Sequence, residues 1–144
     1  MRGVKHTSHE GLTLLELVLQ LHGEFRRRLE PIRVMPLQAG MLLFLCRHAD
    51  AKLTDAAAAL RVREPTLSEM VKDLVRKRWV TKRRSVTDTP AVCLALSRQG
   101  LAITRKIENQ VLRVSTGVAA NRDLTAAGLT RLHRVPAQLM EASS

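Results

Sequence analysis

Residues 53–97 read LTDAAAALRVREPTLSEMVKDLVRKRWVTKRRSVTDTPAVCLALS, and the change of period inside this stretch decides the fold. Its first eight residues predict a short helix made almost wholly of alanine, with Thr54 as the cap and small side chains that let another helix approach closely. After the polar link Arg61-Val62-Arg63-Glu64, Pro65 suits a first helical position. Leu67, Met70, Val71, Leu74 and Val75 then mark one apolar face of a helix ending near Arg78. Beyond Trp79 the period falls from 3.6 to 2. Val80 to Ser85 predicts a strand, Val86 to Pro90 a turn, and Ala91 to Ser97 a return strand in which Val92, Leu94 and Leu96 alternate with Cys93 and Ala95. Two short helices followed directly by a hairpin make the expected fold class mainly α with a small β-hairpin.

Charge is concentrated in the same stretch. Between Arg61 and Arg84 stand nine basic and three acidic residues, +6 of the chain's formal +11. A charge run is ordinarily a solvated face. Here it spans a helix and the hairpin after it, a geometry that lets the helix enter a DNA major groove while the hairpin follows the backbone. With Leu67, Met70, Val71 and Leu74 turned inward, Pro65, Ser68, Glu69, Lys72 and Arg76 form an outward stripe, with Thr66 beside its N-terminal end and Arg63 just before it. The hydroxyls of Thr66 and Ser68 can reach bases or phosphates. Glu69 can accept from a cytosine amino group, and Lys72 or Arg76 can neutralise phosphate or reach guanine. Equally, Glu69 and Lys72 can simply form an i, i+3 ion pair. In the hairpin, Lys82 and Arg84 share one face and Arg83 takes the other.

Outward from this centre the chain is helical. Residues 8–32 carry a long helix with Ser8 or Thr13 available as its cap, on which Leu14, Val18, Leu21, Phe25, Leu29 and Ile32 form one stripe and Leu12, Leu15 and Leu19 another. Together the stripes span roughly 220°, far more than one small core requires. Burial inside the same subunit is the alternative, but 144 residues offer little core for a helix apolar nearly all round, so the expected partner is a second subunit, with Leu14, Val18, Leu21 and Phe25 at the interface. Pro31 and Pro36 bracket a connection to an apolar helix over 38–47. From Arg98 the helical period returns through Ile103, Ile107, Val111, Val114 and Val118, breaks near Asn121 and Asp123, and resumes in a last helix capped by Thr125, kinked or ended by Pro136, with Leu129 and Leu132 as further interface residues. The organisation expected is an N-terminal dimerisation helix (8–32), a DNA-binding region (34–97) and C-terminal dimerisation helices (98–143).

The 144 residues are 45% hydrophobic, enough for one small domain with a core. Phe25, Phe44 and Trp79 are the only aromatics, so stacking platforms for unpaired bases are missing. Cys46 and Cys93 form no C-x-x-C, which suits neither a disulfide scaffold nor a zinc site and is simplest in a reducing cytoplasm. Glu16 and Gln20 interrupt the N-terminal leucine-rich stretch, against a signal peptide, and no run of 18 apolar residues suggests a membrane span. The acidic residues Glu10, Glu16, Glu24 and Glu30 on the first helix argue against a peripheral membrane role. His6, His9, His22, His48 and His133 have no zinc spacing, and no nucleophile motif, phosphate loop or carboxylate pair stands out, so neither metal, cofactor nor catalysis is expected. Cys46, beside Arg47 and His48, is a candidate redox thiol, with simple burial as its alternative.

Taken in order, Gln38 and Leu42, Leu60-Arg61-Val62, Thr66-Leu67-Ser68 and Leu74, Asp88, Leu94-Ala95-Leu96-Ser97 and Gly100 resemble the MarR-type winged helix-turn-helix regulators from about Val34 to Gly100. The resemblance implies a winged helix-turn-helix core flanked by dimerisation helices. It also implies a homodimeric transcriptional regulator, most often a repressor, on pseudo-palindromic double-stranded DNA, often released by small aromatic or anionic effectors or by thiol oxidation. The alternative from another class is a non-specific DNA-coating structural protein. Three departures stand out: Pro90 replaces the family's wing arginine, Glu69 occupies a commonly basic position, and Arg78 replaces the glycine that ends the recognition helix, which is expected to remove its left-handed stop.

Overall fold

The computed structural model describes residues 2–84 and 91–120, with side chains described over 13–84 and 91–116. The first helix, α1 (Arg2–Leu29), begins earlier than expected. Ser8 and Thr13 therefore lie inside it and cap nothing. A hydroxyl residue caps only where the backbone leaves the helix, and no proline precedes Ser8 to force that exit. Pro31 does force one at the other end, where a single 3₁₀ turn covers Glu30–Ile32.

Next comes α2 (Pro36–Arg47), with Pro36 in its first turn. The two-residue strand β1 (Ala51–Lys52) leads directly into α3 (Leu53–Leu60). The cap of α3 is Lys52, not Thr54 as the sequence suggested. Pairing of Ala51 and Lys52 with Leu94 and Cys93 holds Lys52 extended, at φ −74° and ψ 145°, so the helix must start one residue later, at Leu53. Then follow α4 (Glu64–Arg76), β2 (Val80–Arg84), β3 (Val92–Leu96) and α5 (Arg98–Ala120). The antiparallel sheet has the order β1-β3-β2, so the hairpin expected from sequence gains β1 as a third strand.

Two compact units divide the chain, one of them Phe25–Val111. Its core joins Met41, Leu42 and Leu45 of α2, Ala56 and Ala57 of α3, Leu67, Val71 and Leu74 of α4, Val80 and Leu94 of the sheet, and Ile107 of α5. In the other unit, the described part of α1 leaves Leu14, Leu15, Val18 and Leu19 between 43% and 60% exposed, and Leu112 of α5 is 62% exposed.

Three helical segments stop on an arginine in the left-handed region: Arg33 (φ 57°), Arg61 (φ 56°) and Arg78 (φ 63°). Each stop carries the same pair of hydrogen bonds. At α4, Arg78 N–H donates to the Val75 carbonyl (2.9 Å) and Trp79 N–H to the Leu74 carbonyl (3.0 Å), and Arg33–Val34 and Arg61–Val62 repeat the pattern. These are the bonds of a Schellman stop, normally built on glycine. The expectation that Arg78 removes the left-handed stop is thus corrected. Two backbone hydrogen bonds and packing of the following apolar residue against the core outweigh the cost of a Cβ at positive φ.

Beyond α4, Ser97 ties three segments together. Its Oγ donates to the Arg78 carbonyl (2.5 Å) and accepts from Gly100 N–H (3.0 Å), while its own N–H donates to the Trp79 carbonyl (3.0 Å). A Cβ at Gly100 would stand 2.0 Å from the Trp79 carbonyl oxygen, so only glycine lets the start of α5 come this close.

Candidate nucleic-acid interface

Helix α4 presents its two faces as the sequence requires. Leu67, Val71 and Leu74 are buried and Met70 packs against the same core. Pro65, Thr66, Glu69, Lys72 and Arg76 are exposed, and Ser68 is half-buried between the faces. Arg63 stands at the N-cap and makes no side-chain cap hydrogen bond, and the exposed Glu64 carboxylate follows it in the first turn. An anion approaching this end would meet the Arg63 guanidinium and the free first-turn N–H groups, with the Glu64 carboxylate opposing it.

What orients α4 is a buried amide. The Gln38 side chain, 7% exposed, accepts from Met35 N–H (3.0 Å) at the start of α2 and donates through Nε2 to Oδ2 of Asp73 on α4 (2.9 Å). Asp73 in turn lies 3.5 Å from both Arg76 Nη1 and Lys77 Nζ, and the Lys77 ammonium stands 4.9 Å above the Trp79 ring. Gln38 was legible as part of a family pattern, but its role as a brace between α2 and α4 was not.

The candidate cations fall into two groups. Lys72 pairs with Glu69 at 3.2 Å, the bland reading of that couple, and Arg76 pairs with Asp73. Arg83 pairs with Asp50, at the turn before β1. Arg63, Lys82 and Arg84 have no carboxylate partner among the described residues. All of β2 after Val80 is exposed, so Lys82 and Arg84, six and eight residues beyond α4, extend its positive surface. Asp50 gave no signal in the sequence, because its contact lies 33 residues away along the chain.

Cys46 is exposed at the end of α2, so burial does not account for it, and both thiols are free. The His48 ring packs on Phe44, with centroids 4.5 Å apart. Phe25 packs against the core of the Phe25–Val111 unit, Leu21 is half-buried, and Leu14 and Val18 are exposed. Leu129, Leu132, Thr125, Pro136, Asp88 and Pro90 lie outside the described residues. No three metal-ligating side chains converge among the described residues, and no single helix among them is long and apolar enough to cross a membrane. An open cleft at the α1–α2 junction is lined by Arg26, Glu30, Arg33, Val34 and Met35.

The MarR family model matches residues 34–89. The fold is similar to the transcriptional repressor CouR bound to a 23-mer DNA duplex, at 23% identity and a TM-score of 0.76, covering 86% of this chain and 92% of that one. A mutant MarR from E. coli complexed with operator DNA is similar at 20% identity and a TM-score of 0.76, over 90% of this chain and 91% of that one. NadR in complex with 4-hydroxyphenylacetate is similar at 19% identity and a TM-score of 0.72, over 89% of each chain. No curated protein matches the chain.

Proposed function

We propose that the chain is a MarR-type transcriptional regulator that binds double-stranded DNA as a homodimer, a reading supported by the family model over residues 34–89 and by the winged helix-turn-helix fold. The carrying observation is the exposed stripe of α4, bounded by cations free of carboxylate partners: Arg63 before it and Lys82 and Arg84 after it. In this reading Thr66, Ser68, Glu69 and Lys72 meet base edges in the major groove. Arg63, Arg84 and Lys82 hold phosphates on either side, and Arg76 sits at the far end of the groove-facing stripe.

Dimerisation is supported by the leucines of α1 that stay exposed in the single chain. A two-fold dimer then requires a pseudo-palindromic operator with half-sites about 10 bp apart, centre to centre. Blocking transcription by occupying such an operator makes the protein a repressor rather than an enzyme. A small aromatic or anionic effector suits the cleft at the α1–α2 junction, where two guanidinium groups, Arg26 and Arg33, can take a carboxylate.

Selection of bound sequences from random duplex DNA tests the proposal. Enrichment of an inverted repeat with that spacing is the expected result. Tight, salt-dependent binding with no enriched sequence would replace it with the coating-protein reading, since phosphate neutralisation alone carries no sequence information.

A further inference from the structure

Arg83 is the middle of three successive cations on β2, and it differs from its neighbours. In the sheet register Val80, Lys82 and Arg84 stand opposite Leu96, Leu94 and Val92, on the face that carries the core. Arg83 stands opposite Cys93, on the other face, and Cys93 is itself opposite Lys52 of β1. From there the Arg83 side chain reaches over β3 to the carboxylate of Asp50, a span of two strand spacings, about 10 Å, that a shorter side chain would not bridge. Among the described residues, it is the only cation of β2 held by a carboxylate.

We propose that Asp50 withholds Arg83 from DNA, and so sets how many phosphate charges the wing neutralises. The inference rests on the regulator reading above. The pair is 70% and 53% exposed, so it adds little to folding. Its weight is felt in binding. An arginine already facing a carboxylate brings no net charge to the duplex, and phosphate must first displace that carboxylate before counterion release can follow. Asp50 also has a local reason to be there, since its φ of 53° is a conformation that Asp and Asn adopt far more readily than other side chains. That coincidence supplies a clean variant: Asp50→Asn keeps the turn and removes only the charge.

The test measures affinity of the full chain for a mixed-sequence duplex of about 30 base pairs, long enough for two half-sites, as a function of salt. Asp50→Asn is expected to tighten binding several-fold at low salt. It should also steepen the slope of log affinity against log salt by about 0.9, the value of one added phosphate contact. Arg83→Gln alone leaves the Asp50 carboxylate uncompensated and should weaken binding, and the double variant, neutral like the wild-type pair, should return to wild-type affinity and slope. Three results would overturn the proposal: no change for Asp50→Asn, a double variant that binds as tightly as Asp50→Asn, or a double variant whose slope falls a full unit below wild type. Wild-type protein that fails to bind any duplex would remove the regulator reading itself, a result distinct from all three.

Discussion

At the scale of single residues, backbone geometry separates positions that look interchangeable in the sequence. Arg78 occupies a left-handed position that glycine fills without steric cost. Arg78→Gly is therefore expected to raise stability by about 0.5–1 kcal/mol, the Cβ strain removed less the added freedom of the unfolded chain, as read from urea denaturation. An unchanged or lower midpoint would mean that the arginine side chain contributes more than its strain costs. Gly100 is the opposite case. Gly100→Ala drives a methyl group into the Trp79 carbonyl, where backbone on both sides leaves little room to yield, and should cost about 3 kcal/mol. A near-neutral result in the same experiment would show that the start of α5 can move aside.

Among the elements, the brace between α2 and α4 decides how α4 is held. Gln38→Ala leaves Asp73 with only its half-buried lysine and exposed arginine, and Met35 N–H without its acceptor. A loss of about 1–2 kcal/mol is expected, and a double-mutant cycle with Asp73→Ala should show coupling above about 0.5 kcal/mol. Additivity would mean that the hydrogen bond contributes nothing to the pose of α4. On DNA the elements should separate by role. Arg84→Ala should weaken all sequences alike and flatten the salt slope by about 0.9, whereas Ser68→Ala should alter preference at one position per half-site by ~1 to 3 kcal/mol. The reverse pattern would exchange the roles of wing and helix.

The helix itself could be read in advance, because Leu67, Val71 and Leu74 repeat at a period that only one backbone geometry satisfies. The hairpin strands were legible for the same reason. β1 was not, since two residues have no period, and neither was the start of α3, which is set by how β1 pairs. The left-handed turn at Arg78 was misread because residue type gives only a preference for φ, and two hydrogen bonds override it. Asp50 and Arg83 become neighbours only once the strand order places β3 between them.

For the molecule as a whole, the apolar face of α1 and the charge of +11 pull in different directions. The first favours association, the second repulsion between like copies. Replacing Leu15 and Leu19 with Glu removes two of the most exposed apolar side chains without touching the core of the Phe25–Val111 unit. Sedimentation is expected to show a dimer for the wild type and a monomer for this variant. A wild-type monomer at micromolar concentration would end the homodimer proposal. The knot at Ser97 has a mechanical consequence as well. One hydroxyl clasps the end of α4 and the first turn of α5, with no compressible side chain at Gly100 to absorb displacement. A tilt of the first turn of α5 is therefore expected to pass to the last turn of α4 as a lever passes it across a stiff fulcrum, so that on the proposed reading a small rotation at one end changes the angle at which the other meets DNA.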